Sequence, residues 1–231
     1  MKISSKIILL IVLLLCGLSF SALSGLNQMR QIRQEYSDLV TFDVALMSSV
    51  NTVYQVQLQK NVLLAQLINI AEEMAFEQNN FARASYLKDQ LKGIKSTYQQ
   101  YTDDSRSQGQ RATDLAQGAS RFNVLEEQKP SLSNIREGLK RLESVRADYD
   151  ASVMDILKAV EAGGFKLSIE DLEKLQDDEN ALTKDVAKIL KTVQDSLMFS
   201  LDQAKQWEKY AFLRFVYLLI AVFVLSFVLA F

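Results

Sequence analysis

Apolar positions recur every three or four residues along most of this chain, and that spacing predicts helices. Met29, Ile32, Tyr36, Leu39, Leu46, Val50, Val53, Leu64, Leu67, Ala71 and Met74 form one stripe, interrupted by Asp43, Gln57 and Lys60. Val40, Val44, Met47, Tyr54, Leu58, Ala65 and Ile68 cover a neighbouring face. So wide an apolar arc belongs to a helix that packs against more than one partner.

Asn79-Asn80 breaks the pattern and supplies a cap for a second helix, expected from about Asn80 to Leu125. Its stripe runs Ala84, Leu87, Leu91, Ile94, Tyr98, Tyr101, Ser105, Gln108, Ala112, Leu115, Ala119 and Phe122. The polar stretch Thr102–Gln110 has the composition of a loop. The stripe nevertheless keeps one phase on both sides of it, so the helix is expected to continue through. Pro130 is placed to start a third helix, with Leu132, Ile135, Leu139, Leu142, Arg146, Tyr149, Val153, Ile156 and Val160 on one face and Gly163-Gly164 to end it. Ser168 caps a fourth, whose stripe is Leu172, Leu175, Leu182, Val186, Ile189, Val193 and Trp207. Short connections make neighbours antiparallel. The expected fold class is all-α, an antiparallel up-down-up-down four-helix bundle flanked by two transmembrane helices.

Those flanking helices come from two apolar segments, residues 7–23 and 210–231. Lys2 and Lys6 precede the first and place residues 1–6 in the cytoplasm by the positive-inside rule. Ser19, Ser21, Ala22 and Ser24 leave a signal-peptide cleavage site open, but the helical pattern continues past Leu23 without a turn signal, which favours an uncleaved anchor. A lipoprotein signal does not fit, because Leu15 stands before Cys16 where a small residue is required. The second run, Phe212 to Phe231, is about 30 Å of helix. Trp207, Lys209 and Tyr210 lie at its interfacial end, and Arg214 is close enough to snorkel back. Two crossings put residues 24–208 on the outer side and mark the membrane as a partner.

Composition narrows the function. Four of the 26 bases and none of the 28 acids fall outside residues 24–208, leaving that region with a net charge of −6. No basic cluster is available for phosphates, so nucleic acid is not an expected partner. The chain has no histidine and one cysteine, Cys16. This removes the imidazole base, the imidazole metal ligand and any intrachain disulfide. No phosphate-binding glycine loop or nucleophile elbow occurs. The sequence predicts no enzyme, no catalytic residue, no cofactor and no metal site. Asp177-Asp178-Glu179 lacks the alternating ligands and glycine of a calcium loop and reads as a solvated face.

Folding the stripes back at their turns brings Ser105 and Gln108 to the level of Arg146, with Asn51 and Tyr54 nearby on the first helix. A buried guanidinium requires hydrogen-bond partners. The layer is read either as structural or as a pocket in which Arg146 grips the carboxylate of a small organic acid or amino acid, supported by Gln108, Asn51, Tyr54 and Ser105.

The arrangement of Lys2/Lys6, the span to Leu23, four helices and the span from Phe212 resembles the four-helix-bundle periplasmic sensor region of methyl-accepting chemotaxis proteins. Some diguanylate cyclases and sensor kinases carry similar bundles. The resemblance is one of architecture over the whole chain, with no sharp motif that carries ligand residues over. It implies a homodimeric, multi-pass sensor of the bacterial inner membrane, with its central domain periplasmic. In such receptors ligand binding shifts the last helix against the first. Family members continue into a HAMP linker and a cytoplasmic signalling hairpin, and neither pattern occurs here. The expectation is therefore a truncated receptor, a fragment, or a protein that signals through another subunit. The rival expectation is a membrane-tethered helical stalk or interaction protein without a ligand.

Overall fold

The computed structural model describes residues 3–76, 81–119, 129–162 and 169–230. Among these the protein is all-α, with no strand. The helices are α1 (Ile3–Asp38), α2 (Ala45–Phe76), α3 (Phe81–Ala119), α4 (Lys129–Glu161) and α5 (Ile169–Ala230). A π turn over Leu39–Val44 joins α1 to α2. The expected caps at Asn79-Asn80 and Ser168, the glycine stop at Gly163-Gly164 and the end of the second helix near Leu125 lie outside the described residues.

The helix expected through Thr102–Gln110 is present, since α3 is helical without a break from Phe81 to Ala119. Tertiary packing outweighs the weak propensity of this polar segment, because Tyr98, Ser105 and Ala112 are all buried on its inner face. α4 carries Pro130 in its first turn, where no intrahelical donor is lost. At its other end the Ala162 N–H donates to the Lys158 carbonyl at 3.0 Å.

The chain forms two compact units. One comprises residues 42–197, and the other residues 1–41 together with 198–231. Residues 24–41 and 198–208 thus group with the apolar segments.

The first unit is a helical bundle built on the expected stripes. Leu46, Val50, Val53, Leu64 and Leu67 of α2 meet Leu91 and Ala112 of α3, Ile135, Leu139, Val153 and Leu157 of α4, and Leu182, Val186 and Val193 of α5 in one core. Fully burying each large aliphatic stabilises the fold by about 1.5–3 kcal/mol. Named contacts set the directions. Arg83 of α3 pairs with Glu73 of α2, and Phe42 lies against Gly118. On the other side of α3, Lys95 bonds Glu161 at 2.6 Å and Ser105 bonds Arg146, so position rises along α3 as it falls along α4. Asn61 of α2 donates to Thr183 of α5 at 3.1 Å. Each helix runs antiparallel to its neighbours, while α2 and α4 are parallel and diagonal.

The π turn is absent from the sequence expectation. It adds a residue to the turn and rotates the positions that follow. Val44, expected on the second apolar stripe, is exposed, and Phe42 packs against Gly118 instead. Asp43, which interrupts the first stripe, marks the place.

In the second unit α1 and α5 pack through small residues. A Cβ added at Gly17 would lie 3.0 Å from Val222 Cγ2, and one at Gly25 would lie 3.7 Å from Phe215. Between them Ser21 is only 2% exposed, with its hydroxyl unpartnered. Large apolar side chains point outward, among them Met29 (72%), Tyr217 (68%) and Phe223 (75%). Trp207, expected to continue the fourth inward stripe, is exposed as well. Among the described residues no helix is long and apolar enough to cross a membrane. The side chains of residues 1–11 and 225–231, which hold much of both apolar runs, lie outside the description.

Candidate functional site

Near the middle of α2 the apolar stripe gives way to Gln57 and Lys60, both fully buried. Helical spacing leaves them no other direction, for they occupy the inward positions between Val53 and Leu64. Lys60 Nζ crosses the bundle diagonal to Asp150 Oδ1 of α4 at 2.6 Å. The Tyr98 hydroxyl of α3 donates to the same oxygen at 2.8 Å. The ammonium also stands 4.8 Å from the centre of the Tyr98 ring, within cation–π range. Gln57 donates to Asn61 at 3.2 Å, and Asn61 in turn reaches Thr183, which ties α5 into the layer.

One turn before Asp150 on the same face of α4 sits Arg146, 4% exposed. Its Nη1 donates to the Ser105 carbonyl at 3.0 Å and to the Ser105 hydroxyl at 2.8 Å. Both acceptors are neutral, and among the described residues no carboxylate is ion-paired with it. Asp150 and Glu143 favour its charge, while Arg106 opposes it. Tyr149, also buried, leaves its hydroxyl without a partner, as does Thr102.

Burial governs the electrostatics of this layer. Desolvation pulls the Lys60 ammonium below its usual range, with Asp150 working against that shift and Arg146 and Arg106 adding to it. Burial likewise pushes the Tyr98 and Tyr149 phenols far above theirs, reinforced by Asp150 and Glu179. Glu179 is raised by burial alone. Two buried cations therefore share one buried carboxylate. Taking an ion out of water costs several kcal/mol unless it is paired and hydrogen-bonded.

Of the five residues expected from the sequence, the structure brings two together, Arg146 and Ser105. Gln108 is half-buried on α3 and makes no hydrogen bond to Arg146. Tyr54 is half-buried against the apolar core. Asn51 is exposed and lies off the layer. Its displacement follows from the parallel diagonal, since the pairing of Lys60 with Asp150 puts residue 56 opposite Arg146. Asn51 is five positions away, or about 7 Å along the axis. Lys60, Gln57, Tyr98 and Asp150 were missed as site residues. The available signal was the pair of polar interruptions in the first stripe, together with an acid four residues after Arg146.

Among the described residues no group of three or more side chains has the makings of a metal site. Asp177 and Asp178 are exposed, in line with a solvated face, whereas Glu179, expected on the same face, is half-buried. No protein-family model matches the chain, and neither a curated protein nor a solved structure matches it.

Proposed function

We propose that this chain is the sensor module of a transmembrane receptor. The observation that carries the reading is the inverted polarity of the unit formed by residues 1–41 and 198–231. Its interior contacts are made by Gly17, Ser21 and Gly25, and its exterior by Leu15, Phe20, Leu23, Tyr217, Ile220 and Phe223. A water-soluble protein rarely exposes a contiguous apolar patch of more than a few hundred Å², whereas small residues inside and large apolar ones outside suit helices surrounded by lipid. Residues 7–23 and 212–231 hold a single charge between them, Arg214. In this reading Lys2 and Lys6 keep the N-terminus in the cytoplasm and the bundle lies on the periplasmic side of a bacterial inner membrane.

The bundle supplies the sensing element and α5 the transmission element. α5 is one helix from Ile169 to Ala230, so core positions Leu175 to Val193 and the second apolar run belong to the same element. A ligand biases two packings of such a helix only through its differential affinity for them. Arg146 is the ligand contact, the membrane is one partner, and a second copy of the chain is another. The same description suits the sensor part of a diguanylate cyclase or sensor kinase.

A reporter that is active only outside the cytoplasm, inserted near Thr102 in the full chain, tests the orientation. Activity is expected. A reporter active only in the cytoplasm would sink the sensor reading, and a chain recovered entirely in the soluble fraction would sink the membrane reading with it.

A further inference from the structure

From Ala45 to Ala71 the outer face of α2 carries no charge. Lys60 is the one charged residue between Asp43 and Glu72, and it is buried against Asp150. The other three bundle helices present exposed lysines, among them Lys92 on α3, Lys140 on α4 and Lys188 on α5. Elsewhere, then, the solvent-facing sides are charged, and that of α2 is the exception. Ser48, Asn51, Gln55, Leu58, Val62 and Ala65 follow one another at alternating intervals of three and four, so they form one straight seam along the helix. All are exposed except Leu58, which is half-buried, and Val62 is 58% exposed. The seam lies on the side of α2 away from the core residues Val50, Val53, Leu64 and Leu67. It takes in Leu58 and Ala65 of the second apolar stripe, whose members Met47, Tyr54 and Ile68 are only partly buried at the edge of the core. The wide apolar arc of this helix thus finds only part of its cover within the chain.

We propose that this seam is the contact between two copies of the chain, with α2 lying parallel to α2 of the second copy about a two-fold axis. The assignment rests on the sensor reading for the common direction of the two copies, both anchored in one membrane, and it names the surface by which the second copy binds. A parallel two-fold seam sets each residue against its own counterpart. Any charge near the axis would face a like charge, so a seam that pairs with itself is stable only without them. A different protein would impose no such condition, because its surface can supply opposite charges. Ser48, Asn51 and Gln55 suit self-pairing, since a hydroxyl or an amide both donates and accepts. The seam is about 30 Å long and about one 10-Å helix diameter wide, or about 300 Å² on each copy. That is small beside the ~1,600 Å² total of a standard interface. Copies held in one membrane meet at a far higher effective concentration than free ones, so a weak seam suffices.

Cysteine cross-linking of the full chain in membrane vesicles tests the seam, in a Cys16→Ser background that leaves each introduced cysteine alone. Gln55→Cys and Val62→Cys are expected to give disulfide-linked dimers on oxidation, since a parallel seam brings matching Cα atoms within the roughly 4–7 Å that a disulfide spans. Lys92→Cys, Lys140→Cys and Lys188→Cys, on the outer faces of α3, α4 and α5, should give little. Val62→Glu sets two carboxylates together and should cut the Gln55→Cys cross-link about tenfold, and Gln55→Glu should do the same to Val62→Cys. Both residues are exposed, so the melting temperature should hold within about 2 °C. Co-expressing Val62→Glu with Val62→Lys should restore the dimer, because residue 62 then meets its opposite charge. No dimer at either α2 position, equal cross-linking from the other three helices, an undiminished dimer in both glutamate variants, or a cross-link from α2 to a different protein alone would each overturn the proposal. The reporter at Thr102 separates the two claims. A periplasmic reporter without α2 cross-links removes this interface alone, while a cytoplasmic reporter with them removes the sensor reading alone.

Discussion

Replacing Asp150 by asparagine isolates what the central ion pair does for the bundle. Asp150 Oδ1 accepts from Lys60 at 2.6 Å and from Tyr98 at 2.8 Å. Asparagine keeps the shape and one carbonyl acceptor but removes the charge, which leaves Lys60 and Arg146 as buried cations with no buried anion. Breaking a buried pair from one side costs about 3–5 kcal/mol. For a protein of this size each kcal/mol moves the melting temperature by about 2–4 °C, so Asp150→Asn should melt roughly 6–20 °C lower at neutral pH. The loss carries a pH signature. Burial already holds the Lys60 pKa below 10.5, with Asp150 opposing, and removal of Asp150 lowers it further. A depressed folded pKa means stability that is lost as pH falls through it and regained toward 10.5. The gap between variant and parent should therefore narrow as pH rises. The double variant Lys60→Met with Asp150→Leu removes both charges of the pair and should recover the part of the loss that comes from Lys60, while Arg146 still lacks a buried anion and the Tyr98 hydroxyl its acceptor. Thermal melts of the full chain in detergent micelles, followed by far-ultraviolet circular dichroism at neutral and alkaline pH, read all three. A loss below about 1 kcal/mol for Asp150→Asn, or a double variant as unstable as the single one, would refute the reasoning.

Glu179→Gln should raise the melting temperature at pH 7. Burial raises the carboxyl's folded pKa above 4.5, so the ionised form costs stability at neutral pH, and the advantage of glutamine should vanish below pH 4.5. Melts across that range check it, and a constant difference would contradict it. Gly93→Ala should stabilise by about 0.5–1 kcal/mol, because nothing lies within 4 Å of its Cβ position in mid-helix. Gly118→Ala should gain nothing or lose stability, since its Cβ would meet Phe42 Cε1 at 2.9 Å. Urea denaturation of both variants checks the contrast, and equal gains would show that Phe42 moves aside freely.

Helix number, direction and inward face were legible in the sequence because each depends on local spacing. Leu87, Leu91 and Tyr98, or Ile135, Leu139 and Leu142, announce a buried stripe by recurring at three and four. The same regularity carried α3 correctly through Thr102–Gln110 despite its loop-like composition. Height along the bundle was not legible, because a stripe states which face is buried and not which residue of a partner helix lies opposite. Arg146 met Ser105 as expected, since α3 and α4 are joined by a connection that limits their register. Asn51 fell about 7 Å off the layer because the diagonal register of α2 against α4 is decided only by packing, through the pairing of Lys60 with Asp150. Lys60 was visible as an interruption, but that it should be neutralised by Asp150, 90 residues away, follows from tertiary structure alone. So does the shortage of buried negative charge at Arg146. Sequence patterns count charges along a chain, while only the fold determines which of them are removed from water together.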